Sequence, residues 1–178
     1  IYGNDGTCSV ESCPTWTSDK DSNPQESYDF DGSADYVSVD ATGTSNLKIT
    51  GDFTLAAWVV PQAIQSGTNF IVGKWQDTSD ERSYGMWIYG NNLNCAKCHG
   101  GGEWSANCEL NKVLGEPVDG LFIPGEPYHL ACVYNGNDGT MTAYINGLPV
   151  GNKSGLEYGV YTNDMDVRIG NYESGHFF

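Results

Sequence analysis

The chain has 178 residues and a formal net charge of −15, from 23 acidic and 8 basic side chains. A field of that sign repels nucleic acid and anionic membrane, so neither is expected as a partner. Hydrophobic residues make up 39% and charged residues 17%, with 23 glycines, and no window repeats apolar residues at helical spacing, so a turn-rich β protein is expected. Residues 1 to 27 are poor in apolar side chains; Ile1, Tyr2, Val10 and Trp16 stand nearly alone. They read as a loop-rich lead-in to one domain spanning 1 to 178, with Cys8 and Cys13 closing a local loop. Ordered structure is expected from Tyr28, and Tyr36 to Val39 alternates as a strand. Leu47 and Ile49 form a short apolar pair. Phe53 to Val60 is apolar on both faces and stops at Pro61, so it reads as a central strand with Phe53 and Trp58 in the core. Phe70 to Trp75 and Tyr84 to Tyr89 are the next strands.

Leu93 to Leu110 reads as a hairpin with its tip at Gly101-Gly102, which places Cys95 opposite Cys108. A polar connection containing prolines leads to Tyr128. There Tyr128, Leu130, Cys132 and Tyr134 point one way, and His129, Ala131 and Val133 the other. Turn formers at 135 to 139 return the chain into Met141, Ala143 and Ile145. Asn146-Gly147 tolerates two positive φ angles and reads as a type I′ turn into Leu148-Pro149-Val150. Val167 to Gly170 is a last short strand. About nine to twelve short strands separated by turns imply an all-β, antiparallel sandwich.

Six cysteines, at 8, 13, 95, 98, 108 and 132, favour an oxidising compartment outside the cell, with the chain a piece of a larger secreted or surface protein. Their number leaves many pairings open. The hairpin register favours Cys95 with Cys108, then Cys98 with Cys132, and Cys8 with Cys13. No apolar run reaches the roughly 18 residues that a membrane helix needs, so membrane insertion is not expected.

The blocks YDFDGSADYVSV, TGDFTLAAWVVP, IVGKW, SYGMWIYG, GEPYHLACVYNGNDGTMTAYINGLPVG and VRIGNY, in this order, resemble a laminin-G-like jelly roll of the concanavalin A-like superfamily, over residues 28 to 173. The resemblance implies two antiparallel sheets packed face to face, with a concave side and a rim of loops. It also implies a strand before Ile1 and another after Phe178, neither present in this sequence. A neighbouring subunit or domain that supplies edge strands is therefore expected. His129 is similar to the family's usual histidine in its strand, which implies a structural role.

The sequence also carries candidate chemistry. Aromatic residues near strand ends or on alternate faces (Trp75, Trp87, Tyr89, Trp104, Tyr144 and Tyr172) have rings that stack on sugars when half exposed. Cys95-Ala96-Lys97-Cys98-His99 is the C-x-x-C-H pattern of covalent haem attachment, so an electron-transfer domain holding haem c through Cys95, Cys98 and His99 is the alternative. Cys95, Cys98, His99 and Cys108 are also plausible zinc ligands. Asp29, Asp31 and Asp35 alternate at a strand entrance and Asp138 lies in a turn; hard oxygens suit calcium, which the resemblance implies without placing it. A glycosidase needs two carboxylates facing the same bond, and no expected strand pairs them; neither G-x-S-x-G nor H-E-x-x-H occurs. The expectation is a non-catalytic binding or adhesion module for carbohydrate or a surface protein, with a structural spacer as a further reading.

Overall fold

The computed structural model describes residues 4–18, 21–24, 26–42, 46–63, 67–77, 81–90, 92–101, 108–112, 122–172 and 178. Every regular element among them is a β-strand. In chain order they are β1 (Gly6–Thr7), β2 (Thr15–Thr17), β3 (Ser27–Asp29), β4 (Val37–Val39), β5 (Phe53–Val59), β6 (Thr68–Gln76) and β7 (Glu81–Tyr89). Then come β8 (Asn92–Cys98), β9 (Cys108–Lys112), β10 (Tyr128–Asn135), β11 (Thr140–Ile145), β12 (Leu148–Lys153) and β13 (Val167–Ile169). A 7-stranded sheet runs β1-β4-β13-β6-β7-β8-β9, and a 4-stranded sheet runs β12-β11-β10-β5. β2 and β3 form a separate 2-stranded ribbon. All pairings are antiparallel, as a jelly-roll sandwich requires. The lead-in contributes β1 to one edge of the larger sheet and β2 to the ribbon.

The hairpin of β10 and β11 follows the sequence closely. Tyr128, Leu130, Cys132 and Tyr134 are buried, and they lie opposite Val59, Ala57, Leu55 and Phe53 of β5. Asn146 and Gly147 have φ of 51° and 78°, the left-handed pair that joins β11 to β12. Met141, Ala143 and Ile145 face the same interior from β11, and Tyr84, Met86, Ile88, Leu93 and Cys95 meet them from the larger sheet. Lys97 also points inward. Its ammonium donates to the Gly159 carbonyl at 3.0 Å and to the Glu157 carbonyl, and it lies 4.8 Å above the Tyr134 ring. The lysine of the C-x-x-C-H run is thus a buried tie between the sheet and a loop. Tyr84 is buried nearby, donates to the Leu47 carbonyl at 2.9 Å, and burial pushes its phenol up.

Two expectations change. β5 is not central: among the described residues it is the outermost strand of the smaller sheet, bonded to β10 on one side. Its burial alternates, with Phe53, Leu55 and Val59 inward and Thr54, Ala56 and Trp58 outward, so Trp58 is 58% exposed and not core. Alanine counts as apolar in a sequence window but adds little to a core, which is why both faces looked buried.

The disulfides also pair differently. Cys98 lies opposite Cys108 and bonds to it, while Cys95 lies opposite Asn111 and bonds to Cys132 instead. The β8–β9 register is displaced by three residues from the one a tip at Gly101-Gly102 would give, which puts Cys108 on the opposite face from Cys95. β10 lies across the core from β8, not beside it, so Cys132 meets the inward cysteine. Cys8 bonds to Cys13.

Candidate functional site

The larger sheet has a second hydrophobic cluster on its outer face, away from the sandwich interior. Phe70, Trp75, Ala96, Cys98 and Tyr172 are buried there, with Trp87, Cys108 and Tyr161 packed against them. Strand periodicity alone does not put Phe70 and Trp75 on one face, because they stand five positions apart, an odd step. The register between β6 and β7 jumps between Phe70 and Val72, and again between Lys74 and Trp75. The first bulge resets the alternation of β6, so Ile71 and Val72 both serve the inner core while Phe70 and Trp75 face out. The second brings Arg82 opposite Trp75.

Glycine makes room for the rings. Gly73 faces Gly85 across the two strands. A Cβ on Gly85 would stand 3.3 Å from Phe70 Cε2, 3.3 Å from Trp87 Cζ3 and 3.4 Å from Trp75 Cε3. Three rings therefore converge on one bare backbone position. Phe70 and Trp87 lie near-parallel at 6.3 Å between centroids, Trp75 tilts against Trp87 at 5.4 Å, and Tyr172 closes on Phe70 at 4.8 Å.

One carboxylate orients the ring edges. Asp77 Oδ1 accepts from Trp75 Nε1 at 3.1 Å and from Arg82 Nε at 2.5 Å; Asp77 Oδ2 accepts from the Tyr172 hydroxyl at 3.0 Å. Arg82 Nη2 also reaches the Asp77 carbonyl at 3.1 Å. The Asp77 side chain keeps 42% of its surface open to solvent. These residues line a depression of about 300 Å³ bounded by Thr68, Phe70, Trp75, Asp77, Arg82, Trp87 and Tyr172. Its floor is aromatic and its wall charged, with one anion and one cation already paired.

The Cys98–Cys108 disulfide and Tyr161 hold the neighbouring corner. The Tyr161 backbone N–H donates to the Cys98 carbonyl at 2.7 Å, and Ser83 Oγ donates to the Tyr161 carbonyl at 2.5 Å. Burial raises the Tyr161 phenol, and Glu81, which accepts its proton at 3.4 Å, raises it further.

Of the expected aromatic candidates, the structure brings Trp75, Trp87 and Tyr172 together. Tyr89 shares the outer face of β7 with Trp87 but stands beyond the depression, 48% exposed. Tyr144 lies on β11 of the other sheet. Trp104 lies outside the described residues. Sequence reasoning missed Phe70, Asp77 and Arg82, because only the bulges and the strand connection bring them to the rings.

The C-x-x-C-H run does not fit haem. On a strand, Cys95 and Cys98 point to opposite faces, and each sulfur is committed to a different disulfide. His99 Nδ1 is buried without a hydrogen-bond partner, but no thiol remains to carry a ring beside it. The same bonds leave no thiolate for zinc. For calcium, Asp31 turns its carboxylate onto its own loop, accepting from the amides of Ser33 and Ala34 at 2.8 Å each and of Asp35 at 3.2 Å. Asp35 accepts from the Asp31 amide at 3.0 Å. Among the described residues no group of three or more His, Cys, Asp or Glu converges as a metal site.

A two-sheet antiparallel sandwich with an aromatic depression on one outer face is a fold of the jelly-roll class. A family model described as the concanavalin A-like lectin/glucanases superfamily matches residues 31–178, and the chain belongs to that family. Three solved structures are similar in fold. One is the binding domain of Paraclostridial mosquitocidal protein 1, at 17% identity and TM-score 0.61, covering 94% of this chain and 40% of that one. A putative carbohydrate-binding protein from Bacteroides ovatus gives 18% identity and TM-score 0.54, covering 76% of this chain and 34% of that one. Mouse laminin alpha1 domains LG4-5 give 12% identity and TM-score 0.51, covering 72% of this chain and 31% of that one. The chain thus spans well under two thirds of each of these proteins. A comparison with curated proteins gives no match. Three disulfides on such a fold are typical of domains outside the cell, and among the described residues no helix is long and apolar enough to cross a membrane.

Proposed function

We propose that the chain is a non-catalytic, extracellular carbohydrate-binding module, and that it binds through the outer face of the larger sheet. The observation that carries this reading is the convergence of Phe70, Trp75, Trp87 and Tyr172 beside the partly exposed Asp77 carboxylate, which is paired with a buried Arg82. A sugar ring presents a C–H face that packs on an indole and hydroxyls that both donate and accept. Trp87 offers the ring, and the partly open Asp77 carboxylate, held in place by Arg82, offers an acceptor next to it. Asp77 is the sole carboxylate among the described lining residues, whereas glycoside hydrolysis uses two across the scissile bond. This favours binding without turnover. The Bacteroides ovatus relative in fold is itself described as a putative carbohydrate-binding protein, which agrees with the reading.

The test is affinity electrophoresis in gels cast with neutral polysaccharides. The parent protein is expected to be retarded by at least one of them. Trp87→Ala is expected to lose most of the retardation while keeping its far-ultraviolet circular dichroism. Equal retardation of parent, Trp87→Ala and Asp77→Ala would refute the assignment to this face.

A further inference from the structure

The outer face of the smaller sheet carries a different constellation. Trp58 lies directly opposite His129 in the β5–β10 register, with ring centroids 5.3 Å apart and planes tilted by 59°. Beyond His129 is the β11–β12 turn. Asn146 donates its backbone N–H to the His129 carbonyl at 2.8 Å, and its side-chain Oδ1 accepts from the His129 backbone N–H at 2.9 Å. That double tie fixes the side chain of Asn146, an exposed residue whose amide also carries a donor. Asp21, from the segment between β2 and β3, and Pro127 complete a depression of about 520 Å³ with these three residues.

We infer that this depression is a second saccharide-binding site, for a neutral oligosaccharide. The inference rests on the binding function proposed above but not on the residues of that first face. Three features argue for it. Trp58 is 58% exposed on the outer face of β5, with the small residues Ala56 and Ala131 next to it in the β5–β10 ladder. An indole with this much surface open to solvent can stack on a sugar face. The polar groups around it are a neutral amide donor, an imidazole that both donates and accepts, and a carboxylate, which together match hydroxyls. The chain's net charge of −15 disfavours sulfated or uronic sugars, nucleic acid and acidic peptides.

The two depressions lie on opposite outer faces of a sandwich whose sheets are about 10 Å apart. One short oligosaccharide cannot cover both. The module is therefore bivalent, holding two glycan chains or two distant segments of one, with the gain in apparent affinity that follows when both engage.

The experiment is a titration of protein carrying 15N-labelled tryptophan with neutral hexasaccharides of glucose, galactose, mannose, arabinose, xylose and N-acetylglucosamine. The indole N–H signals are read one by one and assigned by Trp→Phe variants. At least one sugar is expected to move the Trp58 signal to saturation, in the parent and equally in Trp87→Ala. Trp58→Ala removes the reporting signal, so the affinity of this site is read by titration calorimetry in the Trp87→Ala background, where adding Trp58→Ala is expected to lower it about tenfold or more, as loss of one stacked ring implies. Movement of Trp75 and Trp87 with Trp58 unmoved would overturn the second site and leave the first standing. Movement of Trp58 alone would support this site and refute the first. No movement for any sugar would refute both. A Trp58 signal that shifts with protein concentration and not with sugar would overturn the inference in favour of pairing between copies along the β5 edge.

Discussion

The two outer faces of the sandwich are built by opposite means. On the smaller sheet β5, β10 and β11 keep an unbroken register, so every side chain points where its position in the strand sends it. Trp58 is exposed there because Phe53, Leu55 and Val59 take the inward positions. On the larger sheet two bulges and a glycine pair gather rings from β6, β7 and the chain after β13 into a packed cluster. The regular face displays a ring without burying it. The irregular face buries most of its rings and keeps only part of Trp87 and Asp77 open. The difference shows that an aromatic side chain on an outer face can be structural or available, and that register decides which.

The sharpest way to break this comparison is to delete one ring from each face. Phe70 is fully buried in the outer cluster, so Phe70→Ala is expected to cost about 3 to 5 kcal/mol in urea unfolding. Trp58→Ala is expected to cost about 1 kcal/mol or less, as exposed substitutions do. Comparable losses at both positions would show that the smaller sheet's face is packed in the same sense and remove the contrast.

The disulfides sharpen the same contrast with a slightly smaller effect. Cys95–Cys132 joins the two sheets through the core with a sequence separation of 37, whereas Cys98–Cys108 ties two neighbouring strands under the outer cluster with a separation of 10. On the chain-entropy model their removal costs about 4 and about 3 kcal/mol respectively. Replacing Cys95 and Cys132 by Ala is expected to lower the whole transition. Replacing Cys98 and Cys108 should also change near-ultraviolet dichroism from Trp75 and Trp87. If the second pair of substitutions leaves those aromatic signals untouched, the disulfide does not position the cluster.

The smallest effect lies outside both faces and appears only in acid. Hydrogen bonds from the Ser33 hydroxyl, and then from the amides of Ala34, Ser33 and Asp35, hold the Asp31 carboxyl well below the usual carboxylate range. A group lowered in this way stabilises the folded state fully above about pH 4, where the unfolded carboxyl is ionised, and the contribution is lost as pH falls further. The stability gap between the parent and Asp31→Ala is therefore expected to be constant from pH 7 to about pH 4 and to shrink below it. A gap that stays constant down to pH 2 would mean that the ionised form of Asp31 has no preference for the folded loop.

Much of the fold was legible because it follows local rules. Alternation wrote β10 and β11, Asn146-Gly147 wrote the turn between β11 and β12, and ordered blocks from Tyr28 to Tyr172 were enough to suggest the jelly roll. Even the exposure of Trp58 was present in the alternation of Phe53, Leu55, Ala57 and Val59, and was hidden by treating alanine as core. The rest depended on the register between segments far apart in the chain. A shift of three residues in the β8–β9 pairing moved Cys108 to the other face, which released Cys95 to bond with Cys132 on the opposite sheet. Bulges at Ile71 and Ser83 turned Phe70, Trp75 and Arg82 toward one depression. Sequence determines which way a side chain points along its own strand, because the pleat repeats every two residues. Which strand it then faces, and whether an extra residue resets the alternation, is settled by packing across the sheet and the core, and only the tertiary structure records that.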